Sequence, residues 1–275
     1  MRLEDLDYPL DPTRIAQQPV EPRDSARLLV DRGPSAPPAH RHVRDLPRVL
    51  RRGDLVVVND TRVIPARLAL TRPGGGTAEV LLLEPHDDTR RTWEALVRPA
   101  RRMPPGTTFV GRDGSDVVRV GDRTDAGDTF EVTLLGDRDA LDVLDEHGVM
   151  PLPPYIQAPL ADADRYQTVY ATRPGSAAAP TAGLHLTDAV FAGLAANGID
   201  VARVELVVGL DTFAPVTEDD PVTHLMHSEH YAVPADTWAA VERARAEGRR
   251  VVAVGTTTVR ALESVAATGA RAMRN

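Results

Sequence analysis

Between Ala66 and Leu135 the chain offers six short stretches of strand-like residues and no helical period. They run Ala66–Thr71, Ala78–Glu84, Thr92–Val97, Thr108–Val110, Asp116–Val120 and Thr129–Leu135, separated by turn-rich segments such as Pro73–Gly76 and Arg112–Gly114. Isolated short strands must pair, and six of them without a covering helix predict a small closed antiparallel β-barrel. The glycines Gly74–Gly76 read as a hairpin turn and not as a dinucleotide fingerprint, because no helix follows them.

The flanks have a different pattern. Leu28–Asp31 and Asp54–Asn59 read as short buried strands, and Asp137–Gly148 as a helix with Leu141, Val143 and Leu144 toward a core. Pro151–Pro159 forms a semi-rigid connector. Ile199–Val208 and Val251–Val254 read as further buried strands, Gly209–Pro215 as a loop, and Asp236–Gly248 as a capped helix. The fold class expected is α/β: a mixed α/β domain, residues 1–65 and 151–275, with the barrel inserted as residues 66–150.

One segment cannot build its own core. Arg173–Thr187, R-P-G-S-A-A-A-P-T-A-G-L-H-L-T, is made mostly of small residues and proline. Thr187 is a good N-cap, and Val190, Phe191, Leu194 and Ala195 then recur at helical spacing until Gly198. The loop thus delivers His185 to a helix N-terminus, where backbone N–H groups can approach a ligand. A plain connecting loop fits the same residues.

Composition removes several chemistries. The 275 residues contain no cysteine, which excludes disulfides, thiolate nucleophiles and cysteine-bound metal. All 32 basic residues are arginine, so Schiff-base chemistry and a Walker-type loop lack their lysine. No apolar run approaches the roughly 20 residues of a membrane span. No signal peptide is visible, and a cytoplasmic protein is expected. A net charge of −8 argues against non-specific nucleic-acid binding. Local basic groups remain: Arg41, Arg44, Arg48, Arg51 and Arg52 beside His40 and His42, and Arg98, Arg101 and Arg102. Guanidinium groups suit phosphate contacts, although such runs also serve as solvated faces.

Polar residues follow several strand ends. Asn59-Asp60-Thr61-Arg62 closes one strand, where α/β sheets often line a site and where Asn and Asp also serve as turn residues. Gly255-Thr256-Thr257-Thr258 leads from a strand into a helix and forms a cradle for a carboxylate or phosphate. Tyr166 could stack on a base or cover a cation, or pack in a core. His224, His227 and Glu229 form H-x-x-H-x-E, readable as a zinc or iron site. On a strand His227 and Glu229 share a face and His224 points away, which suits a carboxylate-oriented histidine better than three ligands.

These segments together resemble the S-adenosylmethionine:tRNA ribosyltransferase-isomerase family of queuosine biosynthesis. The likeness rests on E-P-R-D-S-A-R-L-L at 21–29, V-V-N-D-T-R-V-I-P-A-R at 57–67, P-L-P-P-Y-I at 151–156, R-Y-Q-T-V-Y-A at 165–171, P-G-S-A-A-A-P-T-A-G-L-H-L-T at 174–187, H-L-M-H-S-E at 224–229 and V-A-V-G-T-T-T-V-R-A-L-E-S at 252–264. The resemblance implies transfer of the ribosyl part of S-adenosylmethionine to 7-aminomethyl-7-deazaguanine at the tRNA wobble position. The product is epoxyqueuosine, with adenine and methionine released. It implies no metal or redox cofactor, and no cofactor beyond S-adenosylmethionine as substrate. The partners implied are tRNA and S-adenosylmethionine, with no membrane and a monomeric chain.

The chemistry needs a base beside the sulfonium at the ribose 5′ carbon and an acid to assist the departure of adenine. His185 and His227 are the candidates, with Glu229 orienting His227 or facing the sulfonium. Asp60 is assigned to ribose hydroxyls or the substrate amine, and Thr61 to substrate binding beside it. Arg62 and Thr256, Thr257 and Thr258 are assigned to the methionine carboxylate. Pro180, Thr181 and Gly183 are assigned to backbone contact with substrate, and Tyr166 to stacking. The arginines named above are assigned to tRNA phosphates.

The family pattern is broken at Val207, Asp211, Ala214 and Leu186, where the family usually carries histidine, glycine, a basic residue and phenylalanine. Family members also continue with a closing Asn-Phe-His-Leu-Pro stretch, so a shortened member with an uncovered sheet edge or apolar face is expected. A non-catalytic RNA-binding relative and a metal hydrolase are the alternative readings.

Overall fold

The computed structural model describes residues 2–100, 103–125, 127–209, 219–223 and 229–274. The chain divides into two units. The first holds residues 1–62, 154–173 and 179–275, and the second residues 63–153 and 174–178. The second unit therefore starts and ends three residues outside the expected bounds, and it takes in Pro174–Ala178.

The elements in chain order begin with a hairpin of β1 (Arg27–Val30) and β2 (Ala39–His42), followed by the single turn α1 (Leu46–Val49) and β3 (Leu55–Asn59). The expected buried strand at Leu28–Asp31 is a correction: β1 alternates exposed and half-buried residues, because its hairpin partner covers only its edge. A short β4 (Thr61–Val63) leads into the second unit.

That unit is a closed barrel. Its strands are β5 (Arg67–Thr71), β6 (Thr77–Pro85), β7 (Thr92–Arg98), β8 (Thr108–Val110), β9 (Asp116–Arg123) and β10 (Phe130–Leu134). They run in the order β5-β6-β7-β10-β9-β8, and Thr71 opposite Val110 joins β8 back to β5. Inward positions alternate as the pleat requires: Trp93, Ala95 and Val97 on β7, and Phe130, Val132 and Leu134 on β10. Closure removes the strand edges that six short strands would otherwise expose. The Gly74–Gly76 turn joins β5 to β6 with all three φ positive, a conformation open to glycine. The helix α2 (Ala140–His147), capped by the Asp139 carboxylate, is followed by β11 (Gly148–Val149), which adds to β5.

After β12 (Arg173–Ser176), most of which belongs to the second unit, the first unit continues with α3 (Asp188–Ala196), β13 (Asp200–Leu206), β14 (His230–Ala232), α4 (Ala235–Ala246), β15 (Val251–Val254), α5 (Thr256–Thr268) and β16 (Ala272–Arg274). Its sheet has the order β15-β3-β13-β14-β16. β15, β3 and β13 are parallel, whereas β14 and β16 each pair antiparallel with their neighbour. All five residues of β3 are buried, the signature of a central parallel strand covered on both faces. Val56 and Val58 pack with Val190, Leu194 and Ile199 on one side. The helices α4 and α5 pack against β3, β13 and β15.

Two further expectations are corrected here. Val251–Val254 is an edge strand and only half-buried, since β3 pairs one of its sides. The helix α4 starts at Ala235 after Pro234, and Asp236 accepts from the Thr237 N–H instead of capping the helix.

Candidate active site at the carboxyl ends of the parallel strands

Parallel strands send their chains out at one end, and polar residues there surround a crevice. In this unit β3 ends at Asn59, β15 at Val254 and β13 at Leu206. Asn59 is fully buried and ties the end of β3 to the end of β13 and to the start of α5. Its amide nitrogen donates to the Leu206 carbonyl at 3.0 Å and to Thr257 Oγ1 at 3.3 Å. Its carbonyl oxygen accepts from the Leu206 N–H at 3.1 Å and from the Thr61 hydroxyl at 3.2 Å. The side chain thus pairs with Leu206 as a third strand would, and it fixes the start of α5.

The threonine run divides by role. Gly255, at φ 86°, is the N-cap of α5, and no side chain caps the helix. Thr258 is buried and donates to the Val254 carbonyl at 2.8 Å, and Thr257 faces Asn59. Only Thr256 is exposed.

Glu229 is buried beside the same ends. Its Oε1 accepts from the Gly209 N–H at 3.1 Å, and its Oε2 pairs with Arg260 of α5 at 2.6 Å. Both carboxylate oxygens are engaged, and Glu229 braces Gly209 against α5. His224, His227, Asp211 and Ala214 lie outside the described residues. Val207 donates its N–H to the His230 carbonyl at 2.9 Å.

Asp60 is 4% exposed. Thr172 donates its hydroxyl to Asp60 Oδ2 at 2.9 Å, and Arg173 Nε lies 3.9 Å from Oδ1. Arg173 is held in turn by Glu205 at 2.7 Å. Thr61 is buried with its hydroxyl spent on Asn59, whereas Arg62 is exposed.

The small-residue loop forms a 3₁₀ turn over Thr181–His185, ahead of Thr187, whose hydroxyl accepts from the Val190 N–H as the sequence predicts. Pro180 and Gly183 are buried and Thr181 is exposed. A Cβ on Gly183 would stand 2.0 Å from the Tyr170 hydroxyl, and one on Gly255 would stand 3.6 Å from the Ala182 Cβ. The loop therefore lies against Tyr170 and the α5 cap at once. Arg23, which sequence reasoning did not single out, straps it down. Its guanidinium donates to the carbonyls of Asp164 at 2.6 Å, Gln167 at 2.5 Å and Leu184 at 3.5 Å. His185 is exposed as a residue, yet partial desolvation of its ring lowers its pKa from the ordinary value; the Arg23 backbone opposes this, and the positive charges of Arg165 and Arg23 add to the lowering. His185 is consequently held toward its neutral form, the form a base requires.

Tyr166 is 6% exposed, with its phenol pKa pushed up by burial. The stacking role assigned to it is corrected: the ring is packed inside the unit and offers no open face. Leu186 is likewise a core residue beside Val190, so its departure from the family pattern is a matter of packing.

The arginines assigned to RNA separate into two groups. Arg41, Arg44, Arg48, Arg51 and Arg52 are all exposed in the first unit. Arg98 is exposed in the second, and Arg101 and Arg102 lie outside the described residues. Of the H-x-x-H-x-E motif only Glu229 lies among the described residues, and it is paired with Arg260. Among the described residues, Asp113, Glu146 and His147 of the barrel form a set with metal-ligand spacing, remote in sequence from these motifs.

The family model described as queuosine biosynthesis protein matches residues 3–275. A protein from Moorella thermoacetica named S-adenosylmethionine:tRNA ribosyltransferase-isomerase is 50% identical over 267 residues, 97% of this chain and 78% of that one. Its namesake in Rubrobacter xylanophilus is 49% identical over 272 residues, 98% of this chain and 78% of its own. The Thermus thermophilus protein of that name is 50% identical over 268 residues, 95% and 76% of the two chains. A crystal structure of S-adenosylmethionine tRNA ribosyltransferase from Thermotoga maritima has 31% identity and a TM-score of 0.43, covering 95% of this chain and 72% of that one. With one family matching from residue 3 to the end and relatives at half identity over nearly all of it, the chain belongs to the queuosine biosynthesis protein family.

Proposed function

We propose that the chain transfers and isomerises the ribosyl moiety of S-adenosylmethionine onto 7-aminomethyl-7-deazaguanine in tRNA, giving epoxyqueuosine-tRNA with adenine and methionine as the other products. What carries this reading, beside the family, is the convergence of Asp60, Gly209, Glu229, Arg260 and Thr257 on the carboxyl ends of three parallel strands. Four separate stretches of chain meet there, and those of Asp60, Glu229 and α5 lie within the stretches quoted above as resembling the family.

In this reading His185 removes the proton from the ribose 5′ carbon, whose carbanion the adjacent sulfonium stabilises. Its lowered pKa keeps the ring neutral and ready to accept. His227 is the other proton carrier and serves the leaving adenine. Glu229 and Arg260 hold the Gly209 segment against α5, and the start of α5 with Arg62 receives the methionine carboxylate. Asp60 faces the ammonium of the acceptor's aminomethyl group. Pro180, Thr181 and Gly183 bring backbone close to substrate. The chemistry so drawn needs no metal or redox group, and S-adenosylmethionine enters as substrate. The exposed arginines of both units take tRNA phosphates. No helix among the described residues is long and apolar enough to cross a membrane, and the chain is proposed to act as a cytoplasmic monomer.

The test is adenine release from S-adenosylmethionine in the presence of precursor tRNA. His185→Ala should lower turnover by about 10²–10⁴-fold, the usual contribution of a general base, while S-adenosylmethionine binding stays within a few-fold. Undiminished adenine release in that variant moves the base to His227. Tight tRNA binding with no adenine release by the unaltered chain favours an RNA-binding relative without catalysis.

A further inference from the structure

A groove of the first unit lies beside the strand ends and continues away from them. It encloses about 640 Å³, within the range of about 300–1,000 Å³ typical of ligand sites. Asp60 and Arg173 stand at one end, the open outer edge of β13 at Val201–Arg203 forms its floor, and α4 supplies Thr237 and Arg243. That edge is open because β14 pairs only with Glu205 and Leu206. The Thr237 hydroxyl donates to the Arg203 carbonyl at 2.8 Å and closes one of its free backbone groups.

The charges in the groove are not equivalent. Arg173 is neutralised by Glu205 at 2.7 Å. Arg249 is held by Glu247 at 2.7 Å, lies 3.8 Å from Asp200, and donates to the Gly53 carbonyl at 2.7 Å. Asp236 is engaged by the Thr237 N–H. Arg203 and Arg243 are exposed and form no salt bridge among the described residues. Two guanidinium groups without a salt bridge among the described residues thus line a polar groove that also carries the Asp60, Asp200 and Asp236 carboxylates.

We infer that this groove is the track for the tRNA strand flanking the acceptor base, with Arg203 and Arg243 on its phosphates. The inference rests on the proposed function, in which Asp60 receives the acceptor's ammonium. The strand then leaves Asp60 along β13, and negative charge every nucleotide meets the two free cations. Guanidinium groups bind phosphate by paired hydrogen bonds and carry no base preference, as a track requires.

The experiment measures binding of precursor tRNA to the full chain as a function of salt, for the unaltered protein and for Arg203→Ala/Arg243→Ala. The double variant should lose about tenfold in affinity at low salt, and its salt slope should fall by about two, one for each phosphate contact. S-adenosylmethionine binding and the thermal midpoint should not change. Arg203→Lys/Arg243→Lys keeps the charges and should restore most of the slope. An unchanged slope in the alanine variant, with the unaltered chain binding tRNA tightly, overturns the groove and leaves the proposed function standing. Absence of tRNA binding by the unaltered chain overturns both. Displacement of AMP from the groove, with tRNA binding unaltered by the substitutions, identifies a free-nucleotide site and also overturns the inference.

Discussion

At Gly183 the chain has no room for a methyl group: the added Cβ would stand 2.0 Å from the Tyr170 hydroxyl and 3.1 Å from Tyr170 Cζ. Gly183→Ala should therefore cost about 1–3 kcal/mol through overpacking. Tyr170→Phe in the same chain should recover part of that loss, because it removes the nearer atom. A thermal-unfolding double-mutant cycle reads the coupling, and strict additivity would refute the contact. The sequence drew attention to Gly183 as a point of backbone approach to substrate. The structure adds a second partner, since Tyr170 is buried with its phenol pKa raised mainly by burial, in edge contact with Phe191 at 5.3 Å. Nearby, His185 has a folded pKa below the ordinary 6.5. The unfolded chain therefore takes up this proton first. Folding loses stability as pH falls from about 6.5 through the folded value. If His185 is the base, the acid limb of kcat/KM lies below about 6.5, and a pH–rate profile with its limb at 7 or above contradicts the assignment.

Two side chains hold the strands of the parallel sheet in place. Asn59→Ala strands the Leu206 N–H and carbonyl in a buried site, and about 1–3 kcal/mol for each unsatisfied group predicts a loss near 3 kcal/mol in urea unfolding. A loss within 0.5 kcal/mol would show that water or a neighbour replaces the amide. At the other strand end, Asp54 is 3% exposed and accepts from Arg250 Nε at 2.9 Å as well as from Nη2. The Arg250 hydrogen bonds, helped by the Arg51 N–H, hold the Asp54 pKa below its ordinary 3.8 against the opposing effect of burial. That contribution is complete above pH 3.8 and is lost as pH falls through the folded value. Arg250→Ala should raise the midpoint of acid unfolding, followed by circular dichroism. No shift would mean that solvent screening of the half-exposed Arg250 already removes the effect. Elements with their own local signals were legible in sequence: the barrel strands by alternation and glycine turns, and α3 by Thr187 and its helical spacing. Burial of β1 and β15 was not, because it depends on how many neighbours a strand acquires in the sheet.

Each unit has its own core, one of barrel residues around Trp93, Phe109 and Phe130, the other around β3. A Cβ on Gly148 would stand 1.9 Å from the Pro65 carbonyl oxygen, where β11 meets the chain entering β5. Gly148→Ala should weaken the barrel first. Hydrogen exchange should show early loss of protection in β5, β6 and β7 while β3 and β13 keep theirs. Simultaneous loss in both units would show that they unfold as one cooperative body.

The sequence by itself determined the family, the closed barrel, the α/β class of the remainder and the stretches that supply the site. Those properties are written in residues a few positions apart, through strand and helix periods, turn glycines, capping threonine and contiguous motifs. Only the tertiary structure decided which of those residues act together. The sheet order β15-β3-β13 brings Asn59 to Leu206 across 147 positions and to Thr257 across 198. It spends Glu229 on Arg260, and the fold encloses Tyr166 and leaves Arg203 of β13 and Arg243 of α4 exposed, with no salt bridge among the described residues. The physical reason is that a side chain's burial and charge partners are set by distant strands, and no local period carries that order.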